Sequence, residues 1–266
     1  MALTAINFDK LLVDKFLRVT GLSKSTSELK FIFDQIKDGN IENTEDKQYV
    51  TGVGGVNLAA LKRNKAAKVS FNNAYLVMSA MAVQTGSAVE VASVENKFTV
   101  PMIDLKVVDS VTTAALSATP IASSLKYIYK ANKDGTQGEK YTLAATTASA
   151  TEFTLTGTAI TLPTGIFAAG DRFIASYSTE KTVGKKISNN ANVVSEDVYL
   201  IVEAICRDAC NTNIMYYTKI VFSNASVDGN FNINVGDSPE PHAFSAESML
   251  DPCSSSGSLW DWYIVE

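Results

Sequence analysis

His242 is the only histidine in the sequence, so any Ser-His-Asp or Cys-His relay would have to run through it. It follows Pro239-Glu240-Pro241 in a turn-forming stretch, and no Gly-x-Ser-x-Gly elbow accompanies it. A solvent-exposed turn histidine is therefore the expectation. Cys206 and Cys210 are spaced more widely than the usual Cys-x-x-Cys zinc pair, and a metal shell would have to borrow Cys253 and His242. Cys206 falls on a predicted strand beside Ile201, Ala204 and Ile205, where a free thiol acts as a small core hydrophobe. A local Cys206–Cys210 bond is the minor alternative.

Gly52-Val53-Gly54-Gly55 precedes a strand rather than a helix and lacks the Gly-Lys-Ser/Thr of a phosphate cradle, so its glycines point to a turn or bulge. Lys62-Arg63-Asn64-Lys65, followed by Lys68, is the one basic cluster. Without interleaved aromatics it reads as a solvated hairpin tip rather than a single-strand binding track. Carboxylates are scattered, at Asp34, Asp38, Glu42, Glu45, Asp46, Asp228, Asp237, Glu240, Glu247 and Asp251, with neither a glycosidase pair nor a calcium loop among them. Trp260, Trp262 and Ile264 alternate onto one strand face, the pattern of a core or subunit-contact seam. Sugar stacking by Trp260, Trp262 and Tyr263 is the competing reading. No catalytic, cofactor or metal site is expected.

These residues sit in a chain of 266, long enough for one large β domain or two ordinary ones. A formal charge of −5 does not favour binding to nucleic-acid backbones. An odd cysteine count argues against a secreted disulfide scaffold. The first residues lack the basic flank and apolar run of a signal peptide, and no stretch reaches the roughly 18 apolar residues of a membrane span. A soluble compartment is expected.

The elements that must position these groups are mostly strands. A short helical arm over Phe8–Phe16 leads into a strand through Gly21, which pairs as a hairpin with Glu28–Ile36. Lys37–Tyr49 is charged and rich in turn formers, so it reads as a long loop between strands. Val56–Leu61 and Ala67–Phe71 then pair across the basic turn. A helix follows over Ala74–Gln84, with Asn72 or Asn73 as N-cap and Gly86 as C-cap. Further strands are predicted at 97–108, 125–131, 141–146, 152–162, 171–178, 198–207, 214–222, 227–235, 243–250 and 259–265, and Thr112–Ser124 reads as a diluted linker. The fold class is mostly β, a sandwich or barrel with one flanking helix. Residues 1–107 plus 179–266 form its main domain, and 108–178 either add strands or make an inserted small β-subdomain.

The passage Ala59-Ala60-Leu61-Lys62-Arg63-Asn64-Lys65-Ala66-Ala67-Lys68-Val69-Ser70-Phe71-Asn72-Asn73-Ala74-Tyr75-Leu76, running on to Ala80–Ser87, resembles the strand, turn, strand, helix of bacteriophage major tail tube and related virion proteins. Ile187–Ala191, Arg207-Asp208-Ala209, Ala225–Phe231 and Phe244–Glu247 extend the likeness over most of the chain outside about 108–178. The resemblance implies a non-enzymatic β-sandwich subunit that forms homohexameric rings stacked as a tail tube, the conduit for genome delivery. Its partners would be copies of itself, other tail proteins and phage DNA passing without specific binding, with no membrane and no cofactor. It would be assembled in the host bacterial cytoplasm and reside in the virion tail. By the same analogy the Lys37–Tyr49 loop, with Asp38, Asn40, Glu42, Glu45, Asp46 and Lys47, reaches the next ring, and the N-terminal arm contacts a neighbour. From the −5 balance the lumen is expected to be acidic. A head decoration or tail-terminator protein, or a carbohydrate-binding adhesin sandwich, are the alternatives.

Overall fold

A computed structural model describes residues 10–110, 112–233, 241–251 and 257–265. The chain opens with strands β1 (Leu11–Ser23), β2 (Leu29–Phe33), β3 (Ile36–Thr51) and β4 (Asn57–Asn73), then helix α1 (Met78–Thr85). A second series follows: β5 (Glu90–Val91), β6 (Phe98–Val107), β7 (Thr113–Ala115), β8 (Tyr127–Ala131), β9 (Gln137–Leu143), β10 (Glu152–Thr156), β11 (Ala159–Thr161), β12 (Arg172–Lys181) and β13 (Lys185–Lys186). The last elements are β14 (Asp197–Asp208), β15 (Met215–Val227), β16 (His242–Ser248) and β17 (Asp261–Val265). The class is mostly β with curled sheets, as the strand periodicity predicts.

The chain divides into two compact units, Met1–Val89 with Ile187–Glu266, and Glu90–Lys186. The sequence reading put the boundaries near 107/108 and 178/179. In the structure, β6 and the end of β12 belong to the middle unit because they pair with each other along ten consecutive residues, Phe98↔Lys181 through Val107↔Arg172.

The first unit is one antiparallel sheet in the order β2-β1-β14-β15-β16-β4-β3. On the edge away from β14, β15 carries two partners: β17 pairs along Tyr217–Val221 and β16 along Ala225–Val227. Val198, Leu200, Val202, Ala204 and Cys206 alternate inward along β14, the period-2 pattern legible in the sequence. Phe31, Phe33, Phe71 and Phe244 meet at the centre, with ring centroids 5.1–5.3 Å apart. Ala80 and Val83 of α1 pack against the same core.

The helix is shorter than its predicted Ala74–Gln84. Asn73 remains in β4, where its carboxamide accepts from the Gln35 N–H at 3.0 Å and donates to the Tyr75 carbonyl at 2.8 Å, so it tethers two connections instead of capping a helix. Gly86 does close the helix, at φ 66°, in the left-handed region that suits glycine. The predicted helical arm is also replaced: from Leu11 the chain is strand, held by β14 from Leu11↔Asp208 to Ser23↔Val198, while Phe8 and Asp9 lie outside the described residues. Asp228–Ile233, predicted as strand, has no regular structure, and Asn234 and Val235 lie outside the described residues.

The middle unit holds a sheet in the order β6-β12-β8-β9-β10-β11-β7, with a parallel step between β9 and β10, and the short β5–β13 ladder. Its core gathers Ile128, Tyr141, Phe153, Ile160, Leu162 and Phe173. Asp104 is buried in this unit and accepts from the Ser117 N–H at 2.7 Å and the Tyr177 hydroxyl at 2.9 Å. Burial alone would raise its carboxyl; the Ser117 and Tyr177 bonds, with Lys106 nearby, outweigh that and hold it below the ordinary aspartate value. The Thr112–Ser124 stretch, read as a linker, contributes β7, which pairs with β11.

Candidate functional site

The segment predicted as a long loop is strand. Asn40, Glu42, Asp46 and Lys47 face Ser70, Lys68, Arg63 and Lys62 across a β3–β4 hairpin that runs from Ile36↔Asn73 to Thr51↔Asn57. Three register shifts interrupt it, at Lys37/Asn40, Thr44/Asp46 and Val50/Thr51, and two of them hold a residue in the left-handed region. One carries Asp38 at φ 52°; in the other, Asn64, also at φ 52°, donates to Asp46 at 3.1 Å, opposite the Thr44/Asp46 shift in register. The residues read as a basic turn therefore form a bulge inside one continuous strand. Acidic β3, with Glu42, Glu45 and Asp46, lies beside basic β4, with Lys62, Arg63, Lys65 and Lys68. Glu45 and Lys62 approach to 3.8 Å. Glu42 opposite Lys68 and Asp46 opposite Arg63 favour this register where apolar packing is lacking, and outnumber the one like-charged pair, Lys47 opposite Lys62.

From Glu42 to Lys65 every residue except half-buried Gly52 is exposed, so both faces of the ribbon meet solvent. The turn at its end is built by Gly54 and Gly55 at φ 85° and 78°, the role expected of that glycine run. Around it Tyr49, Val50, Val53, Val56, Leu58 and Leu61 are exposed. Sequence reasoning missed this apolar tip, although Gln48–Leu61 contains no charged residue and that run was a usable signal.

β17 places Trp262 opposite Ile220 and Ile264 opposite Thr218. Trp260 is half-buried and packs on the core beside Leu259, Ile264 is half-buried, and Trp262 is 41% exposed. The two tryptophans, with Val13, Phe16, Ile41 and Ile220, line an open groove of about 300 Å³. Gly39 lets β3 approach at its floor, since a Cβ there would overlap the Phe16 ring. The other groups predicted for the inter-ring segment are on the ribbon and do not converge on this groove, apart from Asn40, which lines it.

His242 corrects the expectation of an exposed turn residue. It is 1% exposed, on β16, opposite Asn73. Its Nδ1 accepts from the Val77 N–H at 3.2 Å, which fixes the proton on Nε2, and Nε2 donates to the Gln84 Oε1 at 2.8 Å. Burial pushes its pKa below the ordinary histidine value, so the ring is held neutral. Its work is to tie α1 to the sheet. Cys206 is buried and Cys210 exposed, both as free thiols, and Cys253 lies outside the described residues. Among the described residues no cluster of three or more His, Cys, Asp or Glu could hold a metal ion, and no helix is long and apolar enough to cross a membrane.

This geometry offers surfaces for association: among the described residues, the end strands β2 and β3 of the first sheet, a projecting ribbon with an apolar tip, and a tryptophan-lined groove. Comparison with curated proteins finds no match. The model of the YomU/Tube protein family, a phage tube-type family with a structural role in the virion tail, matches residues 12–258. With nearly its whole length matched, and with a β framework of the kind that the tail tube resemblance implies, the chain belongs to the YomU/Tube protein family.

Proposed function

We propose that the chain is a phage tail tube subunit that closes into homohexameric rings and stacks them into the conduit for genome delivery. The observation that carries this reading is the β3–β4 ribbon, exposed on both faces from Glu42 to Lys65 except at Gly52. A two-stranded ribbon is marginal alone in water, and an open strand edge invites pairing with another chain. A neighbour in the next ring would cover both. The edges of β2 and β3 supply the second requirement, because lateral joining of sheets around a ring would leave neither open.

In this reading Met1–Val89 with Ile187–Glu266 builds the tube, and the middle unit is an insertion into it. Other tail proteins cap the ends, assembly takes place in the host bacterial cytoplasm, and DNA passes an acidic lumen without specific binding. The function asks for no catalysis.

The test is to shorten the ribbon. Thr44 faces Ala66, so replacing Glu45–Lys65 with Asn-Gly sets a two-residue hairpin turn at that pair. The core cluster contains no residue between Glu42 and Lys65, and thermal unfolding of the variant should stay close to wild type. Wild type should sediment as long assemblies and the variant as rings or monomers. A shortened variant that elongates normally would refute the stacking role.

A further inference from the structure

We propose that the uncharged tip of the β3–β4 hairpin of one copy seats in the groove between β1, β3 and β17 of a second copy. The proposal rests on the tube reading and adds the receiving site. The groove's apolar lining, Val13, Phe16, Ile41, Ile220, Trp260 and Trp262, is completed by Gly39, Asn40 and Asn43, so no charged residue lines it. The tip matches it in kind: Gln48–Leu61 carries no charge, Val53 is fully exposed, and Val56 and Leu58 are 63% and 69% exposed. Tyr49, Leu58 and Ala60 share one face of the ribbon, and Val50, Ala59 and Leu61 share the other. Exposed apolar clusters of this size mark contact surfaces. Joining the two surfaces desolvates no charge and brings aromatic anchors to an uncharged centre, the composition of an interface core.

The occupant has to be another copy. Asn40 and Ile41 line the groove at the root of the hairpin, and Thr51 lies eleven residues farther along β3. At about 3.3 Å per residue the tip stands roughly 35 Å from its own groove, and a two-stranded ribbon, though bulged at Thr44/Asp46 and Val50/Thr51, does not turn back on itself. Reaching the groove of the next copy sets the offset between stacked copies near that length.

The sequence's only two tryptophans both line the groove, so their fluorescence reads its occupancy. Acrylamide quenching should fall severalfold when wild type assembles. Occupant identity is read with Val13→Cys and Val53→Cys in one chain, in a Cys210→Ser, Cys253→Ser background. Oxidation of the assembled protein should give a ladder of multimers on a non-reducing gel, which either cysteine alone does not give. Tubes that form with unchanged quenching, or a double-cysteine tube that yields no ladder, would overturn the docking and leave the tube reading standing. A wild-type chain that never assembles would overturn both.

Discussion

His242→Ala removes one buried and one part-buried hydrogen bond at once. Val77 loses the acceptor for its N–H, and Gln84, 2% exposed, loses the donor to its Oε1. Each orphaned group costs about 1–3 kcal/mol. The ring also packs against Phe33, with centroids 5.4 Å apart, and the cavity left behind adds about 1–2 kcal/mol. Together these add to about 3–8 kcal/mol, a large share of the roughly 5–15 kcal/mol that holds a typical domain. Burial of the same ring makes stability pH-dependent. The folded pKa of His242 lies below 6.5, so as pH falls the unfolded chain takes up the proton first. Its contribution is complete above pH 6.5 and is lost as pH falls from there toward the folded pKa, by at most about 1.4 kcal/mol per pH unit. Urea unfolding followed by Trp260 and Trp262 fluorescence reports on the unit that contains His242. Wild type should lose stability between about pH 7 and 5.5, where no other side chain of ordinary pKa titrates. His242→Ala should be weaker throughout and flat across that window. Equal slopes for the two proteins would refute the argument.

Three further outcomes follow from other parts of the molecule. Gly86→Ala should cost at least about 1–2 kcal/mol in the same urea assay, because φ 66° disfavours a side chain and the new Cβ would overlap the Val194 carbonyl. Asp104→Asn should destabilise the middle unit by about 1–3 kcal/mol through the Ser117 and Tyr177 bonds, read by near-ultraviolet circular dichroism. Because the Asp104 carboxyl is lowered, wild type keeps that contribution above pH 3.8 and loses it as pH falls through the folded value, a component that the asparagine variant should lack. Ending the chain at Ser258 deletes β17, uncovers Tyr217–Val221 and removes Leu259 and Trp260 from the core, so cooperative unfolding of the first unit should disappear. A truncated chain with a wild-type transition would contradict the sealing role of that strand.

The sequence showed most of the framework where one strand face is buried and the other is wet. Val198, Leu200 and Val202 on β14 and Phe31 and Phe33 on β2 announce themselves by alternation. The β3–β4 ribbon gave no such signal, since a strand exposed on both faces has no apolar period, and its charges and turn formers read as loop. Asn64 misled in a similar way: its left-handed backbone marks a bulge within β4, not a reversal between two strands. For His242 the neighbouring prolines pointed to a turn, while its burial depends on Val77 and Gln84, more than 150 residues away in the chain. The tryptophan groove was half legible. The Trp260 and Trp262 alternation is local, but Val13, Phe16 and Ile41 join it only through the sheet.

The central claim is assembly into a tube, and electron microscopy of the purified wild-type chain tests it most directly. The account predicts long hollow tubes built of stacked six-fold rings, with successive rings offset by roughly the 35 Å reach of the ribbon. Compact monomers at every concentration, or closed rings that never stack, would contradict it.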